Sequence, residues 1–345
     1  MAVAKAIAVR HLPSTSNYEI RFCSAGTFNK LFLLYPLDGT IDSFLMRVSL
    51  PVDPYFKTTS EVATLQFVQK NTSIPVPRVI AFDPSVDNEL GFEWILMTKL
   101  PGVALQSLWE SPAPLVWEER VQLTKVLARY VKQLASFKFP LMGNLYLFSR
   151  PEFERIPWLK HLSFKIRFDP LPGNAEFVVG PVVTIPFFYG NRVHLRNDHG
   201  PFETSFSYLS PLLHLHLAST TSRKIAASAD DEYDDDDISE LEDIIAAYES
   251  LLLALSHLFP PDARNNETFS LYHDDMSSNN ILIDPTTHCI TGIVDWESVS
   301  LQPSWKVARV PQLLDGRRRW FAITHCTATP RQGRRRASSR AAGPS

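Results

Sequence analysis

Polar and hydrophobic positions alternate over short stretches in the first hundred residues, which is the period of a half-buried β-strand. Residues 19–34 predict two strands joined by a small polar turn at 24–29, and residues 44–48 predict a third. Residues 74–80 and 92–97 predict two more, and the prolines of the first suit an exposed edge or a strand entry. The N-terminal part of the chain is therefore expected to form a small antiparallel sheet.

Helical spacing of the apolar residues marks the segments outside this sheet. A capping box at 58–61 predicts the start of a helix that interrupts the strands. Longer patterns over 118–139 and 238–258 predict two amphipathic helices further along the chain. The second part of the protein is therefore expected to be larger and mainly helical.

The stretch 269–297 combines three short apolar segments with polar residues at their ends. A first strand leads into His273 and Asp275. A second strand, a proline turn and a third strand follow Asn280 and end at Asp295. Because the last two strands would form a hairpin, the side chains of Asp275, Asn280 and Asp295 are expected to converge at one end.

Phosphoryl transfer needs such a set, because there the protein mainly positions groups and neutralises charge on the transferring phosphate. In kinase catalytic loops a His precedes the catalytic Asp by two residues, and an Asn five residues later holds magnesium. His273, Asp275 and Asn280 have this spacing. Asp295 stands where a second Asp binds magnesium, which prefers oxygen ligands. The alternative interpretation is an ordinary set of turn residues and strand-end caps.

At these residues the chain resembles the aminoglycoside phosphotransferase and choline kinase-like family, small-molecule relatives of the protein kinases, and its fungal members in particular. Trp296 and Glu297 follow Asp295 where protein kinases have Phe and Gly, which favours this family over the protein kinases. The resemblance implies that Asp275 is the catalytic base and that His273 is the buried residue that braces the loop.

The same resemblance implies a fold and cofactors. ATP would be the phosphate donor, and Mg²⁺ would be held by Asn280 and Asp295. The fold class would be α+β, a bilobal protein kinase-like fold. Residues 1–97 would form the small antiparallel β-sheet lobe, and residues 98–316 the larger, mainly helical lobe that carries the catalytic loop.

Two segments differ from the rest in composition. An acidic loop is expected near 229–237, since blocks of like charge are usually solvated; it lacks the glycine and terminal glutamate of a calcium loop. Residues 317–345 are rich in Arg, Ser and Ala without an amphipathic period, and are expected to form a disordered, atypical basic tail. Because family members normally continue with further helices there, an altered or truncated C-terminus is expected.

Candidates for nucleotide binding lie in the sheet lobe. Arg47 falls where kinases place a phosphate-pairing lysine, and Arg keeps the charge and can bond two phosphate oxygens. Glu61 either reaches back to the helix cap or pairs with Arg47. Gly26 and Thr27 lie in a turn that either covers the nucleotide phosphates or is an ordinary hairpin turn. Met97 precedes the hinge at 98–102, where the family pairs with adenine through backbone groups.

Composition narrows the possible functions. The chain has 345 residues, 45% of them hydrophobic, and a net charge of −3, which gives no overall attraction to nucleic acid or membrane. Its three cysteines are scattered and odd in number, which argues against a disulfide framework and favours a reducing compartment. No secretion signal or membrane span is predicted. No zinc site is predicted at His214 and His216, because they lack partner ligands. A cytoplasmic protein is expected.

These features predict an ATP- and Mg²⁺-dependent phosphotransferase acting on a hydroxyl of a small molecule. The alternative is a catalytically inactive, kinase-like nucleotide-binding or interaction protein with an incomplete C-terminal lobe. Arg47 and the sparse glycine turn motivate that alternative. A protein kinase is a third possibility, disfavoured by Trp296 and Glu297. The sequence singles out neither the hydroxyl compound nor the oligomeric state.

Overall fold

The computed structural model describes residues 1–13, 17–39, 43–109, 115–148, 167–171, 174–190, 192, 195–229, 234–260, 267–297 and 299–314. The N-terminal part contains α1 (Ala2–Val9), β1 (Tyr18–Ala25), β2 (Asn29–Pro36), β3 (Phe44–Ser49), α2 (Phe56–Asn71), β4 (Val79–Asp83) and β5 (Glu93–Thr98). The middle contains β6 (Val103–Ala104), α3 (Leu105–Trp109), α4 (Trp117–Ser136), β7 (Asn144–Leu147), β8 (Asp169–Leu171), β9 (Asn174–Gly180) and α5 (Ile185–Phe188). The last elements are α6 (Ser205–Ser228), α7 (Asp235–Leu258), β10 (Phe269–Tyr272), β11 (Ile281–Ile283), β12 (Ile290–Ile293), β13 (Ser300–Pro303), α8 (Ser304–Val307) and a 3₁₀ turn (Gln312–Leu314).

The predicted N-terminal sheet is present, with five antiparallel strands in the order β1, β2, β3, β5, β4. Alternate residues of β3 and β5 point to opposite faces of the sheet, because the side-chain period of a strand is two. Met46 and Leu96 pack on the face that α1 covers. Ile95 and Met97 pack on the face that carries Val62 of α2. Arg47 pairs with Ile95 across the strands, and it therefore points towards α2.

The structure corrects two predicted boundaries. The proline-containing strand begins at Val79 rather than at residue 74. Helix α2 begins at Phe56 with Tyr55 as its N-cap, so residues 58–61 lie inside the helix and do not form a capping box. Tyr55 has a φ of 70°, and its backbone N–H donates to Oε1 of Glu93 at 2.8 Å. The hydrogen bond to Glu93, a residue distant in sequence, therefore determines where α2 begins, and the local capping pattern does not.

The second part of the chain holds the stretch 269–297 in a buried frame. Strand β10 pairs with β13, and β11 pairs with both β12 and β6, the strand after the hinge. Helix α4 packs against β10. Met276 and Trp296, from the loops after β10 and β12, are buried in the largest apolar cluster. The loops that carry the predicted site are thus fixed by core side chains.

Helices α6 and α7 pack against each other, with the Tyr248 hydroxyl 3.3 Å from Nδ1 of His216. The acidic run is not a loop throughout, because α7 begins at Asp235. Asp234 is its N-cap, and its side chain accepts the N–H of Asp237 at 2.9 Å. Acidic residues suit this position because the N-terminal end of a helix carries partial positive charge. Residues 230–233 and the tail 317–345 lie outside the described residues.

Candidate functional site

The catalytic-loop candidate follows β10 directly. His273 is buried, and its Nε2 donates to the carbonyl oxygen of Val294 at 3.1 Å. Its ring packs edge-on against Trp296, with 4.9 Å between ring centroids. Burial lowers the pKa of His273 and favours the neutral ring. His273 thus joins the loop after β10 to the segment after β12.

Asp275 and Asn280 contact each other inside the loop. The Nδ2 of Asn280 donates to Oδ2 of Asp275 at 2.9 Å and to its backbone oxygen at 3.0 Å. The backbone N–H of Val294 donates to the carbonyl oxygen of Asn280 at 2.9 Å. This bond brings the residue before Asp295 to Asn280, as the predicted hairpin requires.

Asp295 has a φ of 65°, a left-handed conformation that is uncommon for residues other than glycine. The residue is exposed at the protein surface, while protein packs densely around its carboxyl group. The protein packed around it, the charge of Glu297 and the charge of Asp275 together raise its pKa to about 6, while Arg47 acts in the opposite direction. Asp295 therefore lies in a negative environment that a cation would stabilise.

Oxygen ligands for Mg²⁺ are available at this point. Asn280 uses its Nδ2 for Asp275, which leaves its amide oxygen for a ligand, and Asp295 supplies a carboxylate. Such a set fits Mg²⁺, which is usually bound through one or two protein oxygens together with water and phosphate. Among the residues that the structure describes, no group of three or more His, Cys, Asp and Glu side chains could hold a metal ion.

Arg47 and Glu61 form a buried ion pair between β3 and α2. Of the two interpretations of Glu61, pairing with Arg47 is correct and capping is wrong, because Glu61 lies in the second turn of α2. Burial lowers the pKa of Arg47, and the charge of Glu297 opposes that effect. The Arg47–Glu61 pairing that the kinase pattern suggested is therefore present.

Glu297 is the centre of a second set of contacts, which the sequence did not reveal. Its Oε2 lies 2.6 Å from Nζ of Lys57 and 3.7 Å from Nη1 of Arg47. It also accepts a hydrogen bond from Nδ2 of Asn29 at 2.7 Å. Burial alone would raise the pKa of Glu297, but Lys57 and Arg47 outweigh it and hold the pKa below its usual range.

Two further carboxylates are buried beside Lys57. Burial raises the pKa of Asp53 to about 7, and the neighbouring charge of Glu93 adds to this shift. Burial likewise raises the pKa of Glu93 to about 7. Lys57 is itself only 1% exposed, and burial lowers its pKa. A sequence signal existed, since Lys57 and Glu61 are four residues apart and so share one face of a helix.

The remaining candidates have simpler surroundings. The N–H of Gly26 donates to the carbonyl oxygen of Asn29 at 2.9 Å, which closes the β1–β2 turn, and Thr27 in this turn is exposed. Met97 is buried, and its strand pairs with β3 and β4 on its two sides. Burial lowers the pKa of His216 to about 4, and His216 contacts Tyr248.

Fold and site together define a kinase-like phosphotransferase arrangement: an antiparallel sheet with a buried Arg–Glu pair, followed by a catalytic-type loop and an Asp-ended hairpin. The family model described as "phosphotransferase enzyme family" matches residues 19–305. The chain belongs to this family. The predicted family resemblance and the α+β bilobal kinase-like fold are therefore confirmed.

Individual relatives are distant. A subtelomeric hrmA-associated cluster protein of Aspergillus fumigatus is 26% identical over 333 residues, which is 85% of this chain and 60% of that protein. The protein "altered inheritance of mitochondria protein 9, mitochondrial" of Clavispora lusitaniae is 25% identical over 264 residues, 72% of this chain and 42% of that protein. The chain thus spans less than two thirds of the length of these relatives.

Among solved structures, an aminoglycoside phosphotransferase in complex with GDP and kanamycin has 13% sequence identity and a TM-score of 0.45. The similarity covers 87% of this chain and 73% of that one. A second aminoglycoside phosphotransferase, in complex with AMP-PNP and hygromycin B, has 15% identity and a TM-score of 0.45.

None of the helices in the described part of this chain has the length and apolar character needed to span a membrane.

Proposed function

We propose that this protein transfers the terminal phosphoryl group of ATP to a hydroxyl group of a small molecule, with Mg²⁺. The observation that carries the proposal is the contact between Asp275 and Asn280, together with the backbone bond that brings the segment of Asp295 beside them. Membership of the phosphotransferase family supports the same reaction class.

Asp275 is proposed as the base that receives the proton of the acceptor hydroxyl. Asn280 holds Oδ2 of Asp275 at 2.9 Å, which limits rotation of the carboxylate and leaves its second oxygen for the acceptor. In the reaction, the acceptor oxygen bonds to the γ-phosphorus, the bond from that phosphorus to the bridging oxygen breaks, and ADP leaves. The hydroxyl proton passes to Asp275.

Asn280 and Asp295 are the residues that would hold Mg²⁺, which when bound neutralises charge on the phosphates. Arg47, fixed by Glu61, supplies positive charge from the sheet side. The turn containing Gly26 and Thr27 is proposed to cover the phosphates with backbone N–H groups. Met97 and the hinge after it are proposed to bind the adenine through backbone groups.

We propose that residues 1–97 and 98–316 form the two lobes and that the protein is located in the cytoplasm.

A second candidate function is nucleotide or partner binding without catalysis. It is favoured by one observation: Arg47 is already neutralised by Glu61 and lies 3.7 Å from Glu297.

The names of several relatives contain the word "mitochondrial". Fluorescent tagging of the full chain would show whether this protein is located in the cytoplasm or in mitochondria.

The proposal is tested by thermal unfolding with and without Mg²⁺ and ATP, on the wild type and on Asp295→Ala. Ligand at about one hundred times its dissociation constant should stabilise the native state by roughly 2.7 kcal/mol. Asp87→Ala, which removes an exposed carboxylate from a loop of the sheet lobe, is the matched control.

A shift that requires Mg²⁺, persists in Asp87→Ala and disappears in Asp295→Ala would support the proposed site. ADP release should then be measured with a panel of small hydroxyl compounds. No shift in a wild type that unfolds cooperatively would contradict the proposal. A shift without ADP release for any acceptor, water included, would favour the non-catalytic candidate.

A further inference from the structure

One carboxylate oxygen joins the segment of Asp295 to three parts of the N-terminal sheet region. Oε2 of Glu297, two residues after Asp295, contacts Nζ of Lys57 at 2.6 Å and Nδ2 of Asn29 at 2.7 Å. Nη1 of Arg47 lies 3.7 Å from the same oxygen. These partners belong to α2, β2 and β3.

The orientation of this contact is fixed by the amide of Asn29. Its Nδ2 faces Glu297, while its Oδ1 accepts from Nζ of Lys57 at 3.1 Å and from the Ser49 hydroxyl at 2.8 Å. Both ends of the amide are used, so it has one favourable orientation. Lys57, Asn29 and Glu297 therefore form a closed triangle of charge-assisted hydrogen bonds.

The location of the triangle relates it to the proposed reaction. Asn29 is the first residue after the β1–β2 turn at 26–28, which is proposed to cover the phosphates. Glu297 shares a short loop with Asp295, whose backbone is held at a φ of 65°. The triangle thus fixes the metal-binding segment relative to the turn above it.

The charges show why Lys57 matters to this geometry. The side chain of Glu297 is 17% exposed, whereas that of Lys57 is 1% exposed. The carboxylates of Glu297 and Asp295 repel each other. Because the two residues share a short loop, a displacement of Glu297 would also displace Asp295. Lys57 opposes that repulsion from inside the protein. A buried lysine is tolerated only where it is paired, so its position depends on Glu297 as well.

We propose that Lys57 is a positioning residue for the proposed phosphoryl transfer. It holds Glu297, and through Glu297 the loop of Asp295, at the distance from the sheet that a bound Mg²⁺–nucleotide requires. This role rests on the proposed function. Lys57 would act through Glu297 and not by contacting the nucleotide, because its ammonium faces Glu297 and Asn29.

The test uses Lys57→Met, Glu297→Gln and the double variant Lys57→Met/Glu297→Gln. For each, the unfolding midpoint without ligand and the dissociation constant of ATP are measured, the latter by calorimetry with and without Mg²⁺. Lys70→Met is the matched control, because Lys70 lies on the same helix and forms an exposed ion pair with Glu176.

Each single variant removes one partner of the Lys57–Glu297 ion pair and should lower the unfolding midpoint by several degrees. The double variant removes both partners of this pair, so its midpoint should recover towards the wild-type value. Its Mg²⁺-dependent affinity for ATP should stay roughly 10–100-fold weaker, the usual loss when a residue supporting a metal ligand is removed. Lys70→Met should keep the wild-type affinity.

Recovery of both stability and affinity in the double variant would overturn the inference, since the pair would then be purely structural. Wild-type affinity in Lys57→Met would overturn it as well. If the wild type itself shows no Mg²⁺-dependent binding of ATP, the proposed function fails and the inference fails with it. That outcome is distinguishable, because it appears before any variant is compared.

Discussion

The Nε2 of His273 donates a hydrogen bond to the carbonyl oxygen of Val294 at 3.1 Å. The two residues lie in different loops, one after β10 and one after β12. Val294 is followed directly by Asp295, and His273 precedes Asp275 by two positions. This bond therefore fixes the distance between the proposed base and the proposed metal ligand.

Replacing His273 with Leu should weaken both the fold and the reaction. The variant leaves the carbonyl of Val294 without its side-chain donor, which costs about 1–3 kcal/mol for a buried group. ATP turnover should fall as well, because the loops of Asp275 and Asp295 lose their brace. Urea unfolding and ADP release are the measurements.

His257→Leu, at an exposed position of α7, is the control for loss of an imidazole. Unchanged stability and unchanged turnover in His273→Leu would show that the bond does not brace the loop.

Asp275→Asn and Asp274→Asn form a matched pair of adjacent substitutions. The Asp275 variant should lose about 10²–10⁴ in turnover, the usual contribution of a positioned general base. Its affinity for Mg²⁺–ATP should stay near wild type, because Asp275 is proposed to act on the acceptor. Asp274 points elsewhere, with its Oδ2 3.9 Å from Nζ of Lys306, and its variant should keep most of the turnover.

Equal losses in the two variants would remove the assignment of the base. A loss of nucleotide affinity as large as the loss of turnover would also contradict it. Stopped-flow measurement of ADP release, with calorimetry for binding, separates the two quantities.

Much of the site could be predicted because its residues lie close in sequence or in one hairpin. His273, Asp275 and Asn280 occur within eight positions, and a hairpin pattern brings Asp295 back to them. The start of α2 could not be predicted, since the N–H of Tyr55 is held by Glu93, a residue in a distant strand. Local capping patterns carry no information on such contacts.

Lys57 shows a second limit of sequence reasoning. A lysine in the first turn of a helix is normally exposed, and the spacing of Lys57 to Glu61 indicates a shared helix face but not burial. It is buried because Glu297 and Asn29, 240 and 28 positions away, provide its partners. Whether Glu61 caps the helix or pairs with Arg47 also depends on a contact between residues in different elements. Arg47 lies on the facing strand β3, and its position there determines the pairing.

Arg47→Met should destabilise the protein by about 3–5 kcal/mol, the cost of leaving one partner of a buried ion pair without the other. Glu61 is 3% exposed and would become that unpaired charge. Arg47→Lys keeps the charge and should restore part of the stability, although lysine cannot form two parallel hydrogen bonds with a carboxylate. Guanidinium unfolding of the three proteins gives the comparison.

Arg10→Met is the control, because Arg10 makes a two-bond contact with Glu89 at 2.7 and 2.8 Å on the surface. Exposed pairs of this kind contribute little, so its unfolding midpoint should hardly change. Similar losses in Arg47→Met and Arg10→Met would contradict the importance of burial.

Gly102→Ala should destabilise the hinge more than Gly91→Ala, although both glycines have positive φ values, 98° and 72°. A Cβ at Gly102 would lie 2.5 Å from the carbonyl oxygen of Ile283 and 2.5 Å from Oγ1 of Thr291, whereas nothing lies within 4 Å at Gly91. Backbone strain is common to both and costs on the order of 1–3 kcal/mol. Only Gly102→Ala must also move β11 away from β6, so equal unfolding midpoints would contradict this packing.

The buried carboxyl group of Asp53 should make stability fall as the pH rises. Its folded pKa is raised to about 7, above the unfolded value of roughly 3.9. The folded state therefore binds the proton more tightly, and this contribution is complete below about pH 4 and lost as the pH rises through about 7. Glu93 and Lys57 face the same group, and the charge of Glu93 adds to the shift while that of Lys57 opposes it.

Asp53→Asn removes this titration with almost no change in shape. The variant should match the wild type near pH 4 and exceed its stability near pH 8 by a few kcal/mol, since each pKa unit corresponds to roughly 1.4 kcal/mol. Unfolding free energies between about pH 4 and 8 provide the test, with the exposed Asp87→Asn as the control for charge removal. Parallel curves for wild type and Asp53→Asn would mean that Asp53 stays ionised in the folded protein, with Lys57 as its dominant partner.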